Sequence, residues 1–305
     1  LTNLRHAPHD PMNPVLLHPA QGLVDEPADA AAVPPMVRLL PPKGWHSVRV
    51  GELWRNRELL FFLAWRDIKV RYKQTVFGAA WAVLQPLLMM LAFTLFLGKM
   101  AGLSSGGIPY PLFVFAGLLP WTLFATAVNG AGNSVVASER LVTKIYFPRL
   151  LIPLGSVGTA VVDFCVAMGM LAILMASYHT WGGVQLLVAP LVVLAIIVAA
   201  TGIGTLVAAM TVRYRDVKFV LPFFLQFWMF ATPSIYLQAT PRTSALRWVL
   251  ALNPMTSLIS AFRAACLGGP IPWAGAATAA AMGLVLLVFG CMYFQRVEDR
   301  FADEI

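Results

Sequence analysis

A chain of 305 residues that is 59% hydrophobic and only 12% charged departs from soluble domains, in which about a quarter of residues carry charge, and composition alone assigns it to the integral membrane proteins. Its net charge of +8 does not signal nucleic-acid binding, because most of the cations sit in short loops between apolar runs, where they set membrane topology. Cys165, Cys266 and Cys291 have no His or acidic partners at ligand spacing, which excludes a disulfide framework and a metal site.

Residues 1–48 carry nine prolines between Pro8 and Pro42 and lack the apolar core of a signal peptide, so a disordered cytoplasmic tail is expected there. From 49 to 75 basic and bulky apolar residues alternate at helical spacing. Val50, Trp54, Phe61, Trp65, Ile68 and Tyr72 recur at steps of three, four or seven, and Arg55, Arg66, Lys69 and Lys73 fall on the other face. That pattern predicts an N-terminal amphipathic interface helix, with aromatics at the acyl boundary and cations among the headgroups of the membrane lipids.

A bilayer needs about 20 apolar residues at 1.5 Å each. Runs of that length lie near 77–97, 111–137, 150–178, 186–212, 219–237 and 273–294, which predicts an all-α membrane protein with six transmembrane helices between 76 and 295. With the N-terminus inside, the cytoplasmic flanks hold 15 Lys and Arg against four on the other side, so both termini, including the tail at 296–305, are expected in the cytoplasm. Between the fifth and sixth spans, residues 245–267 are apolar but interrupted by Asn253-Pro254 and contain Arg263. Neither half crosses a bilayer alone, and two short re-entrant helices are expected.

No GxxxxGK[ST] phosphate loop is present, since Gly98-Lys99 is followed by Met100, and there is no HExxH, GxSxG or cluster of carboxylates. The chain therefore reads as non-catalytic. Polar groups and helix breakers inside spans usually meet a partner helix or a water-filled path. This makes Asn129, Asn133 and Gln226 candidates for lining a channel, with helix packing the competing role of Gly130 and Gly132; Phe227, Trp228 and Tyr236 join them as aromatics that can face a pore, against the lipid-facing or interfacial role expected of most. Asp163 is the only acid deep in a span and requires a partner or a role; a structural hydrogen bond outweighs a proton relay, because proton-driven pumps use several such groups. The loop 138–149, SERLVTKIYFPR, combines Ser138, Glu139, Arg140 and Lys144 with Ile145, Tyr146 and Phe147, a short helix expected to present an apolar knob to another protein.

Together these pieces resemble the permease subunits of bacterial ABC exporters of polysaccharides such as O-antigen, capsule and teichoic acid. The stretches that carry the resemblance are RDIKVRYKQTVFGAAWAVLQP at 66–86, KIYFPR at 144–149, VDF at 162–164, VRYRDV at 212–217, LPFFLQFWMFATPSIY at 221–236, LNPMTSLISAFR at 252–263 and FQRVEDRFADEI at 294–305. Phe77 stands where a smaller aliphatic residue is expected. The resemblance implies an inner-membrane homodimer beside two ATP-binding cassette subunits that hold ATP and Mg, with no cofactor in this chain. It implies that Ser138 to Arg149 is the coupling helix, that 246–267 closes the outer end, and that the cargo is a glycan on a polyprenyl diphosphate lipid. A diphosphate headgroup requires cations at the cytoplasmic surface, and Arg66, Lys69, Arg71 and Lys73 are positioned to supply them. The alternative is a secondary transporter or channel without an ATPase, whose signature is repeated halves or several intramembrane carboxylates.

Overall fold

The computed structural model describes residues 50–73, 78, 80–100, 107–144, 147–232, 253–298 and 301, all within one compact unit, Pro42–Ile305. The tail expected at 1–48 lies outside the described residues. Among those described, the regular structure is entirely helical, as a chain that must satisfy its backbone polar groups inside a bilayer requires. In order the elements are α1 (Val50–Arg55), α2 (Arg57–Lys73), α3 (Ala80–Phe93) continued by π-helical turns at Thr94–Met100, α4 (Tyr110–Ala137) and α5 (Glu139–Lys144). They continue as α6 (Leu151–Ser177), a 3₁₀ segment (Gly183–Val188) that leads into α7 (Ala189–Arg213), α8 (Val217–Ala231), α9 (Pro254–Leu267) and α10 (Trp273–Glu298).

Five stretches are long and apolar enough to cross a membrane: Ala80–Met100, Tyr110–Ala137, Leu151–Ser177, Gly183–Arg213 and Trp273–Glu298. The span expected at 219–237 begins as α8, whose 15 residues reach about 22 Å against the ~30 Å of a bilayer core; its continuation beyond residue 232 lies outside the described residues. The structure thus describes five helices long and apolar enough to span a membrane and one shorter apolar helix.

The centre of the molecule is α4. Nearly every residue from Leu112 to Val135 is buried except along one stripe, because α3, α6, α7, α8 and α9 all pack around it. Lipid is as apolar as leucine, so close backbone approach through small residues replaces the hydrophobic effect as the packing force. A Cβ on Gly204 of α7 would stand 2.6 Å from the Cβ of Ala131 on α4, and Gly202 of α7 meets Gly290 of α10 backbone to backbone.

The N-terminal helix sits differently from the expected single stripe. Leu60, Leu63 and Ala64 of α2 lie against Gly155 and Gly158 of α6, where added side chains would come within 3.1–3.2 Å of Leu63 and Ala64. Farther on, Arg71 meets Asp163 of the same helix. Eight residues along α6 (155 to 163) match eight along α2 (63 to 71), so α2 runs beside α6 in the same direction. Trp54 of α1 and Phe61 of α2 face outward at 71% exposure. The helix is therefore apolar on both sides, one against protein and one outward, and a sequence pattern cannot separate the two because both surroundings select the same residues.

Residues 245–252 lie outside the described residues, and α9 is the one described helix in the interval where two re-entrant helices were expected. The Asn253 side chain caps it by accepting from the Met255 N–H at 3.1 Å and donates to Thr232 Oγ1 at the end of α8 at 2.8 Å. Its other end abuts Gly182, beyond the end of α6. With 14 residues, almost all apolar positions buried, α9 reaches about 21 Å and is covered by protein, the condition under which a non-spanning segment is tolerated at membrane depth.

Candidate functional site

The uncovered stripe of α4 is polar. Thr122, Thr126, Asn129 and Asn133 recur at steps of four, three and four, so they share one face, and each is half-buried or exposed, as are Ala125 and Gly130 beside them, while the rest of the helix around them is largely buried. Thr122 bonds back to the Leu119 carbonyl at 2.8 Å, and the Asn133 amide donates to the Asn129 carbonyl at 2.9 Å and to its side-chain oxygen at 3.1 Å. These bonds hold the side chains along the helix and leave acceptors and donors on the open side. A seam of this kind inside a membrane faces water or another polar surface.

At its Thr122 end the seam opens into a cavity of about 190 Å³, walled by Arg71 and Tyr72 of α2, Trp81 and Gln85 of α3, Thr122 and Thr126 of α4, and Asp163 and Phe164 of α6. Arg71 Nη2 donates to Asp163 Oδ2 at 2.7 Å, and the Tyr72 hydroxyl donates to Asp163 Oδ1. Burial, reinforced by that hydrogen bond and by the nearby carboxylate, pushes the Tyr72 hydroxyl from 10.0 up to about 12, so it stays a donor throughout the neutral range. Asp163 thus has two partners from α2, and α2 is fastened to α6 at both ends of their contact: by glycine packing near Leu63 and by charge near Arg71.

The other end of the seam leads to Ser138 and α5. Arg66 of α2 donates to Asp67 at 2.8 and 2.9 Å and to Ser138 Oγ at 3.3 Å. Glu139 and Arg140 of α5 are exposed, whereas Val142 is buried. Of the expected apolar knob, Ile145 and Tyr146 lie outside the described residues, and Phe147 does not point outward: it is 8% exposed and packs in a cluster with Leu63, Val135, Leu150 and Val212. The ring fills the space between the ends of the spans and so fixes the loop from beneath. Arg149 closes the loop, its N–H donating to Glu298 Oε1 at 2.8 Å and its guanidinium to the Glu298 carbonyl at the end of α10.

Residues 58–267 match the family described as ABC-2 type transporter. The chain belongs to that family. It is 33% identical over 259 residues to the O-antigen export system permease protein RfbA of Myxococcus xanthus, covering 84% of this chain and 98% of that one. It is 25% identical over 254 residues to the protein of the same name from Klebsiella pneumoniae, covering 81% and 94%. Membership of the ABC-2 transporters makes the chain a transporter subunit and not an enzyme, a multi-pass inner-membrane protein whose family implies an ATP-binding cassette partner.

Within this ABC-2 subunit the remaining candidate residues divide. On α8, Gln226 is exposed and Phe227 is 82% exposed. Trp228 instead turns onto α4, its ring 6.2 Å from Trp121 and 5.2 Å from Phe124 in edge-on contacts. It joins the α4–α8 packing instead of an open face, because three large rings fill the gap that no single smaller side chain there closes. Of the cations, Arg66 and Arg71 are engaged as described, Lys69 lies 5.5 Å over the Trp65 ring, and Lys73 is exposed. Tyr146 and Tyr236 fall outside the described residues, as does the side chain of Lys144. The sequence pattern singled out neither Thr122 nor Thr126, although they extend the Asn129–Asn133 spacing by whole helical turns, and it gave Gln85 no place in a site.

Proposed function

We propose that this chain is the channel-forming subunit of an ATP-driven exporter that carries a lipid-linked polysaccharide outward across the inner membrane. The observation that carries the reading is its similarity to an O-antigen export permease across 98% of that protein's length. The polar seam on α4 supports it, since a row of Thr and Asn on the outside of one copy calls for a second copy across a shared hydrophilic path. In this reading two copies work with two ATPase subunits that bind ATP and Mg, six spans form with α8 continuing outward, and α9 with the segment before it closes the external end.

The loop 138–149 is the element that docks to the ATPase, through the exposed Glu139 and Arg140 and through Lys144 and Tyr146. Phe147 holds that loop in place from the inside, and the Arg66–Ser138 bond links it to α2. A polyprenyl diphosphate meets Lys69 and Lys73 first, because Arg66 and Arg71 already have acidic partners and must loosen them to take part. Both termini lie in the cytoplasm.

The test is reconstitution with the candidate ATPase in proteoliposomes loaded with a defined polyprenyl diphosphate glycan. ATP-dependent appearance of the glycan on the far side is the expected result. Sustained transport by this chain with no ATPase present would instead establish a secondary carrier.

A further inference from the structure

The cavity at the Thr122 end of the seam has a composition that selects its ligand. Among the described residues that line it, the only charged side chains are Arg71 and Asp163, which are paired at 2.7 Å. Their fields largely cancel for a third charge nearby, and a phosphate brought to Arg71 would also approach a carboxylate. The site therefore does not suit the diphosphate headgroup. Nor does it suit an acyl chain, which would leave Gln85 and Thr126 facing hydrocarbon at several kcal/mol per unsatisfied group.

A neutral polyhydroxylated ligand meets neither objection. Each sugar hydroxyl both donates and accepts, and the walls offer both: Asp163 accepts, Arg71 donates, and Gln85 and Thr126 do either. Trp81, 48% exposed, adds a flat apolar surface of the kind that packs against the C–H face of a pyranose. The cavity, of about 190 Å³, is large enough to admit a sugar ring.

We infer that the cavity between α2, α3, α4 and α6 is a subsite for a single neutral pyranose unit of the cargo, with Asp163, Arg71, Gln85 and Thr126 binding its hydroxyls and Trp81 packing against its apolar face. The inference rests on the polysaccharide reading above and adds where a sugar is held. A pocket for one ring grips a long polymer weakly, which suits a chain that has to move on.

The experiment places a reporter thiol in the cavity. Ala82→Cys, on the α3 wall, is introduced together with Cys165→Ser, which removes the exposed native thiol and leaves the buried Cys266 and Cys291. The full-length subunit with its ATPase, in nanodiscs without nucleotide, is labelled with a maleimide. The additions are methyl glycosides of glucose, mannose, galactose and N-acetylglucosamine, and separately pyrophosphate. At about ten times its dissociation constant a bound glycoside leaves about a tenth of sites free, so labelling slows about tenfold.

Protection by at least one glycoside and none by pyrophosphate is expected, and Gln85→Ala is expected to remove that protection while leaving the unprotected rate and the gel-filtration profile unchanged. Thr122→Cys, on the α4 wall, serves as a second reporter should Ala82→Cys fail to assemble. Protection by pyrophosphate alone would make the cavity an anion site and overturn the inference; so would no protection by any glycoside at either reporter. Transport by the unaltered complex is scored separately, so loss of the cargo reading with protection intact, and loss of the subsite with transport intact, are distinct results.

Discussion

Separating Arg71 from Asp163 tests how α2 is held. The ion pair is a charge-assisted hydrogen bond at 2.7 Å, with side-chain exposures of 47% and 14%. Bonds to charged groups contribute about 1.5–3 kcal/mol, less where solvent reaches them. The unequal exposure makes the two single substitutions unequal. Asp163→Asn leaves behind a half-exposed guanidinium that solvent or headgroups can satisfy, at a cost of about 1 kcal/mol. Arg71→Gln strands a nearly buried carboxylate that keeps only the Tyr72 hydroxyl, at a cost of about 3 kcal/mol. The double substitution removes both charges and is expected to cost about 2 kcal/mol, a coupling of about 2 kcal/mol against the summed singles. At about 2–4 °C per kcal/mol for a protein of this size, detergent-solubilised Arg71→Gln melts lowest, about 9 °C down, with Asp163→Asn about 3 °C and the pair about 6 °C down. Additivity of the two singles to within about 0.5 kcal/mol would mean that the pair does not fasten α2 to α6.

Other outcomes follow from neighbouring geometry. Tyr72 holds its proton more tightly folded, near 12, than at its ordinary 10.0, so its contribution is fully present below pH 10 and is lost as pH rises through 12; Tyr72→Phe should flatten the alkaline limb of a thermal-stability profile over that window. Leu63→Ala empties a 2%-exposed position between α2 and the end of the bundle, and a loss of about 2–5 kcal/mol is expected in chemical denaturation. Gly202→Leu forces α7 and α10 apart where their backbones touch, and no monodisperse protein should be recovered by gel filtration. Arg66→Gln breaks the bond to Ser138 at about 1 kcal/mol, so melting should move little while glycan exported per ATP hydrolysed falls.

Much of this architecture was legible in the residues. Long apolar runs find the spans because a bilayer sets their length, and Asp163 stood out because charge there demands an explanation. What periodicity could not supply was the surface that each apolar face meets. Trp54 and Leu63 look alike to a hydropathy scale, yet one faces outward and the other is sealed against α6. Phe147 and Trp228 went the same way: an aromatic residue in a loop or a span reads as a contact for something outside until its actual neighbours are known. The cavity was the least readable, since its walls come from α2, α3, α4 and α6, and nothing local in Gln85 or Thr126 announces that they meet. Arg71 was read for its charge toward lipid, whereas a residue 92 positions along the chain already occupies it.

The position of Pro120 gives the α4 seam a mechanical character. A proline weakens a helix one turn upstream by removing a backbone bond, but from Trp121 to Ala137 α4 has no further break, so Thr122, Thr126, Asn129 and Asn133 ride on one stiff rod that ends beside α5. Their spacing nearly repeats every turn. Were α5 to drive that rod along its axis by one turn, about 5.4 Å, Asn129 would arrive close to where Thr126 had been and Asn133 close to where Asn129 had been. A polymer alongside would meet hydrogen-bonding groups in almost the same places before and after the stroke, and the rail would slide without changing its pattern.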